Sequence, residues 1–415
     1  MSLTTARVEE ELRSAALEAI AGSGASEAES DPALAKLNAL GTRLWLDTGN
    51  REEAQSLWRR EFSALTTNNT LANQVVQTGA MDAVAQKAVR DLKAENPGIG
   101  EEELVMELGF IVNCHIALRL VKAFNVKVSV ELHPSVAEDI ERSVEYARRY
   151  FAVCPERFII KIPLTPEGYC AVARVRAEGI PVNYTLGFSA RQNYLAALLS
   201  GPTYVNVFLG RLNAVVADNV LGDGKYVGEK AAMATQDALL DLRRQGRTET
   251  LLIAASMRAA SQVYDLAGVD VYTMPPKVAK EFLTAQPAPN ALSSQVGRAY
   301  SVTFAPDADP AFFETLWTIS DSFRALSDEL TERGGVNLTG ADIRQADADH
   351  RTGLFRSFSP QEIADIQTQG KIPLLSRWQD TDTALDDLMT MSALRSFAVD
   401  QAALDDRLRN LAKSA

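Results

Sequence analysis

Between Arg43 and Pro275 the chain alternates short apolar runs with longer stretches whose apolar positions recur at helical spacing, the pattern of βα units around a parallel sheet. The runs are RLWLDT, EFSALTT, VKVSVEL, RFIIKIP, IPVNYTLGF, TYVNVFLG, TLLIAAS and VDVYTMP. Eight of them exceed the five or six strands of an average open sheet, and they predict an α/β fold with a closed (β/α)8 TIM barrel. The longest separations, after Thr67 and after Phe208, leave room for extra helices. Before the first run, Val8 to Ile20 predicts an N-terminal helix, followed by the small-residue acidic loop AGSGASEAESDP. After VDVYTMP the strand pattern stops. Residues 306–415 hold only helical periodicity, as in PAFFETLWTISDSFRALSDEL and TALDDLMTMSALRSFAVDQAALDDRLRNL, which predicts additional C-terminal helices packed on the outside of the barrel. Three segments follow: an N-terminal extension over 1–40, the barrel over 41–305 and the helical region over 306–415.

Composition adds limits to this picture. Of the 415 residues, 46% are hydrophobic, ample for a large core, and the net charge of -12 excludes the basic footprint that nucleic acid or an anionic membrane requires. Any anionic ligand must therefore be met by a few locally placed arginines. Cys114, Cys154 and Cys170 are odd in number and lack metal-site spacing, which points to a reducing compartment and to no zinc site. The start MSLTTARVEEELRSAALEAI has no basic head with an apolar core, and no segment reaches about 18 uninterrupted apolar residues, so the cytoplasm is the expected location.

Barrel enzymes build their sites at the C-terminal ends of the strands, so the polar residues that close each run are the candidates. They are Asp47, then Thr66 with Asn68, Glu131, Lys161, Asn183 with Thr185, Asn206 with Arg211, and Ser256 with Arg258. Lysine is seldom buried without a partner or a task, and Lys161 closes the β-branched run of RFIIKIP. An amine must be neutral to attack a carbonyl. An apolar strand with cations nearby favours that form, drawing a lysine pKa toward roughly 7 to 8, and a carboxylate then moves protons around the resulting imine. A lysine, two carboxylates, hydroxyls and two arginines form the inventory for Schiff-base chemistry on a phosphorylated carbonyl compound. Each residue also has a plain structural reading. Lys161 could snorkel to water at a strand end, Asp47 could N-cap a helix starting near Arg51, Glu131 could pair with a loop lysine, and Arg258 could salt-bridge on a helix surface. His133, just past the third run, is a further candidate at the edge of the same pocket.

These residues sit in motifs that resemble the transaldolases of the pentose phosphate pathway. The resemblance rests on ALTTNNTL, FIIKIPLTPEG, VNYTLGFS, VFLGRL, AASMRAASQVYDLAGVDVYTM and the tail LRSFAVDQAALDDRL. It implies that Lys161 forms the imine, that Glu131 and Asp47 handle protons with Thr185, and that Thr66 and Asn68 hold substrate hydroxyls. Arg211, Ser256 and Arg258 would hold phosphate and Phe208 would shape the pocket, with Asn183 and Asn206 beside the substrate. The implied reaction transfers a dihydroxyacetone unit from a ketose phosphate, sedoheptulose 7-phosphate or fructose 6-phosphate, to an aldose phosphate. No cofactor or metal is expected, and the assembly would be a monomer or homodimer. The alternatives are an aldolase that releases free dihydroxyacetone and a non-catalytic barrel that serves as a binding partner. Asn69 stands where the family has proline, Asn206 where it has serine, and Val207 where it has proline.

Overall fold

The computed structural model describes residues 6–22, 28–379 and 381–414. Its centre is a closed barrel of eight strands in sequence order, each parallel to its neighbours: β1 (Arg43–Asp47), β2 (Phe62–Thr66), β3 (Lys127–Glu131), β4 (Phe158–Pro163), β5 (Val182–Thr185), β6 (Tyr204–Phe208), β7 (Leu251–Ala255) and β8 (Val271–Met274). Pairing of Arg43–Leu46 with Val271–Met274 closes the ring. Each strand lies within one of the eight apolar runs. Burial on both faces explains why the runs are continuous and not alternating: all six residues of β4 are buried.

Side chains along a strand alternate between the barrel interior and the helix layer. Trp45 on β1 and Tyr204 on β6 are not on neighbouring strands, yet their rings meet edge to face at 4.8 Å, so both point inward and fill the floor. Two residues further on, Asp47 and Asn206 inherit the inward direction one layer higher. Register does the rest. Asp47 pairs with Thr66, Glu131 with Lys161, and Lys161 with Asn183, so the polar ends of successive strands stand side by side.

The long separations hold extra helices as expected, Asn69–Gln77, Asp82–Glu95 and Glu101–Phe124 after β2, and Leu209–Asp218 and Val227–Arg244 after β6. Glu101–Phe124 is long and apolar enough to cross a membrane, and 83% of its most apolar window is buried inside the protein. The N-terminal helix runs over Ala6–Ala21 and packs on the helix layer through Glu9, which pairs with Arg149. Residues 23–27 of the acidic loop lie outside the described residues.

One expectation needs correction. The last helix, Leu385–Ser414, does not only pack outside the barrel; its first half crosses the mouth. Period-3.6 patterning reports that a helix has an apolar face, not which surface that face covers. Arg191, just after β5, grips Asp386 through two contacts of 2.7 Å, and both side chains are buried. The Thr390 hydroxyl donates to the Leu186 carbonyl at 2.9 Å, and Thr70 pairs with Asp400. Further along, Arg407 pairs with Asp82 as the helix descends the barrel wall.

Breaking the Arg191–Asp386 pair from one side leaves a buried charge without compensation. Asp386→Ala should therefore lose about 3 to 5 kcal/mol in denaturant unfolding, and the paired change Arg191→Met with Asp386→Leu should recover most of it. Equal losses in the single and double variants would mean that packing, not the charge pair, fastens the helix.

Candidate active site

The barrel mouth opens into a cavity of about 190 Å³. Ten of the twelve candidate residues line it: Asp47, Thr66, Asn68, Lys161, Asn183, Asn206, Phe208, Arg211, Ser256 and Arg258. Glu131 and Thr185 do not; they are buried around it.

At the centre, Lys161 is 4% exposed, with Nζ 3.2 Å from Glu131 Oε2 and 3.3 Å from the Thr67 carbonyl, to which it donates. The contact with Glu131 is an ion pair in distance but lacks hydrogen-bond alignment, and both Glu131 oxygens have no hydrogen-bond partner among the described residues. It is a charge contact, and the Asn69 backbone N–H is the other donor that acts on the carboxylate. Burial pushes the Glu131 carboxyl up from its usual value; the positive charge of Lys161 opposes this, Asp47 adds to it, and the Asn69 backbone N–H opposes it again. A buried acid whose pKa is raised, in contact with an amine, is placed to exchange a proton with it.

Asp47 is the second acid. Its Oδ1 accepts from the Thr66 hydroxyl at 2.7 Å, and Thr66 Oγ1 lies 2.6 Å from Thr273 Oγ1. With Thr66 donating to the carboxylate, Thr273 must donate to Thr66, so two hydroxyls hold one carboxylate. Burial raises the Asp47 pKa, against the charges of Lys161 and Arg258 and the bond from Thr66. The helix that follows is capped by Asn50, not Asp47, which removes the plain structural reading of this residue.

Asn68 N-caps Asn69–Gln77, its Oδ1 accepting from the Leu71 N–H at 2.9 Å. That bond fixes the amide and leaves Nδ2 for the cavity. Asn183 Nδ2 donates to Ser129 Oγ at 3.1 Å, and its buried Oδ1 has no hydrogen-bond partner among the described residues.

The cationic end is built from two loops. Arg211 lies in the first turn of Leu209–Asp218 and not at the end of β6, because the helix begins immediately after Phe208. Arg258 lies in the loop before the short helix Ser261–Asp265 and not inside it; its backbone N–H and that of Ala259 donate to Gln262 Oε1. The two loops are pressed together at Gly210, where an added Cβ would fall 2.0 Å from the Ser256 carbonyl and 2.7 Å from Arg258 Cγ. Ser256 itself is held at φ 62, a left-handed conformation unusual for a non-glycine residue and typical of functional turns. Arg211 is buried and its Nη1 has no hydrogen-bond partner among the described residues. Burial, with the charge of Arg258, pushes its pKa down to about 10. A buried guanidinium with an empty donor, beside a second arginine, is a site waiting for an anion.

A family model described as Transaldolase/Fructose-6-phosphate aldolase matches residues 44–335. The chain belongs to this family. A probable transaldolase of Thermus thermophilus is 32% identical over 244 residues, 58% of this chain and 90% of that protein. Probable transaldolases of Kosmotoga olearia and Aquifex aeolicus are 42% and 38% identical over 142 and 135 residues, which span 58% and 56% of their own lengths. The matched stretch of the family model ends before the C-terminal helix.

Thr273, Phe397 and Lys371 are among the cavity residues that escape the strand-end rule. Thr273 is in the middle of the last run, so nothing about its place in VDVYTMP marks it out. Phe397 comes from the C-terminal helix, its ring 6.0 Å from Lys161 Nζ and 5.5 Å from the Arg211 guanidinium. The resemblance of LRSFAVDQAALDDRL to the family's final helix was the available signal for it. Lys371 enters from a loop with no strand-end signal at all. His133, by contrast, is not in the cavity: it caps Pro134–Val136 through Ser135 and pairs with Asp405 at 3.2 Å.

The raised pKa of Asp47 carries a pH signature. The folded chain keeps a proton that the unfolded chain has released, so this group lowers stability as pH rises from the ordinary carboxylate value through the raised one. Asp47→Asn keeps the size and the bond to Thr66. Its melting temperature should match the parent near about pH 4 and exceed it increasingly toward neutrality. A thermal-melt series over that range that shows no gain would mean that Lys161 stabilises the carboxylate more than burial penalises it.

Proposed function

We propose that this barrel is a transaldolase that moves a dihydroxyacetone unit from a ketose phosphate, sedoheptulose 7-phosphate or fructose 6-phosphate, to an aldose phosphate. The observation that carries this reading is Lys161, which lines one cavity with Arg211 and Arg258, held 3.2 Å from the buried Glu131 behind it. The Lys161 amine attacks the ketose carbonyl, and loss of water gives an imine. Glu131, which touches Nζ but not the cavity, serves the protons of that step with Thr185. Asp47 then takes the proton of the substrate hydroxyl next to the bond that breaks; the bonding electrons pass into the imine, the aldose phosphate leaves and an enamine remains. Addition of this enamine to an acceptor aldehyde runs the same steps in reverse, and water releases the new ketose from Lys161. Thr66, Asn68, Asn183 and Asn206 supply the donors and acceptors for sugar hydroxyls, Phe208 bounds the pocket, and Arg211, Ser256 and Arg258 receive phosphate. Each step uses groups of the chain itself, so no cofactor enters the reading.

Transfer is favoured over release to water by the Phe397 ring above Lys161. An apolar cover over the enamine excludes the water that would end the cycle as free dihydroxyacetone. A reducing compartment, with the cytoplasm as the setting, fits three cysteines that are all free and buried. The catalytic unit in this reading is the barrel of residues 41–305 completed by the helical region after it.

Borohydride reduction with fructose 6-phosphate should attach a three-carbon adduct to Lys161, located by peptide mapping, and Lys161→Met should abolish both adduct and turnover. Label on another lysine would sink the reading. Glu131→Gln keeps the shape but removes the base, so kcat should fall by about 10²- to 10⁴-fold with little change in KM. A large rise in KM with kcat preserved would reassign Glu131 to substrate positioning.

A further inference from the structure

The cavity has a fourth basic side chain besides Lys161 and the two arginines. Lys371 lines the same cavity as Arg211 and Arg258, and it lies outside the 44–335 stretch matched by the family model. Its side chain makes no ion pair or hydrogen bond with another described residue. The chain around it is not free to swing away. After the helix Pro360–Gln369, Gly370 turns the backbone at φ 77, a conformation that glycine adopts without strain. Its carbonyl accepts from Ser392 Oγ, on the C-terminal helix, at 3.1 Å. On the other side of Lys371, Asn219 grips the chain twice: Nδ2 donates to the Pro373 carbonyl at 3.0 Å and Oδ1 accepts from the Leu375 N–H at 2.8 Å. The Leu374 N–H donates to Gln369 Oε1 at 2.7 Å, closing the turn on itself. A short strap thus bridges the C-terminal helix and the helix that carries Arg211, with one exposed lysine over the opening.

We propose that Lys371 is the outer cation of the phosphate subsite and a determinant of specificity for phosphorylated over unphosphorylated sugars; this rests on the sugar-phosphate reading of the site. A phosphate dianion offers three terminal oxygens. Arg211 meets it from the buried side, and Arg258 and Ser256 meet it from the loop after β7. The solvent-facing oxygens are left to a group at the mouth. A lysine suits that place: it is a compact charge on a flexible stem, able to follow the phosphate as substrates of different length are seated. With a net charge of -12 on the whole chain, an unpaired lysine at this opening also gives an arriving anion a local attraction that works against the overall repulsion.

The test compares D-erythrose 4-phosphate with D-erythrose as acceptor, fructose 6-phosphate being the donor at saturation, in the parent enzyme, Lys371→Met and Lys371→Arg. Because the residue is exposed and its charge partly screened, Lys371→Met should lower kcat/KM for the phosphorylated acceptor by about 5- to 20-fold. The effect should sit in KM, with kcat and the values for D-erythrose unchanged, and Lys371→Arg should keep most of the parent's preference. If the parent prefers the phosphorylated acceptor and Lys371→Met keeps that preference in full, the role of Lys371 is overturned while the phosphate reading stands. If the parent shows no preference, the phosphate reading falls and the role of Lys371 with it.

Discussion

The closed parallel barrel gives each strand one inward row, and the chemistry of this protein depends on where that row changes character. At the level of Trp45 and Tyr204 the interior is filled with rings; one inward position higher it holds Asp47 and Asn206. Because closure fixes every register, the change happens at the same height on neighbouring strands, and Glu131, Lys161 and Asn183 fall into one line. A slip of one residue on β4 would turn Lys161 into the helix layer. The site is therefore a property of strand pairing before it is a property of any side chain.

What the pairing assembles is costly to hold. Two carboxyls have raised pKa values through burial, a guanidinium is pushed down to about 10 beside another arginine, and several buried polar atoms lack hydrogen-bond partners among the described residues. None of these helps the native state. Stability has to come from elsewhere, and the C-terminal helix shows one source. It is fastened by the buried Arg191–Asp386 pair and by Thr390 at Leu186, both just beyond β5, and it delivers Phe397 to the face of Lys161. The same helix anchors the strap at Gly370. One element thus closes the mouth, dries the amine and positions an outer lysine.

The sequence made the barrel legible because parallel strands buried on both faces read as uninterrupted apolar runs, and it made most of the site legible because polar residues at the ends of such runs have few other reasons to be there. The logic fails where a site residue is not the last of its run, as with Thr273, or where it comes from a helix. Phe397 is an apolar residue on an amphipathic helix, and periodicity alone cannot separate a ring packed on the barrel wall from one hung over the mouth. The two arginines are legible as followers of their runs, but not the elements that carry them, since a helix that starts at Leu209 and one delayed to Ser261 differ in caps and turns that apolar patterning does not encode. His133 failed for the opposite reason: it follows a strand, but its ring is committed to a turn and to Asp405.

The departures from the transaldolase motifs gain a physical sense from this geometry. Val207 points into the helix layer and pairs with Ala254 in an unbroken five-residue ladder between β6 and β7, where a proline would remove a backbone donor. Asn69 takes the first helical position after Asn68, a place where proline is tolerated because its N–H has no helical acceptor. Here that N–H is present, and it lies close enough to Glu131 to oppose the rise in its pKa. Asn206 divides its amide: Oδ1 accepts from the Gly187 N–H at 3.2 Å, tying β6 to the loop after β5, and Nδ2 remains for the cavity. The substitution therefore ties the wall beside Phe208 to the loop after β5 and leaves the lysine and its two acids untouched.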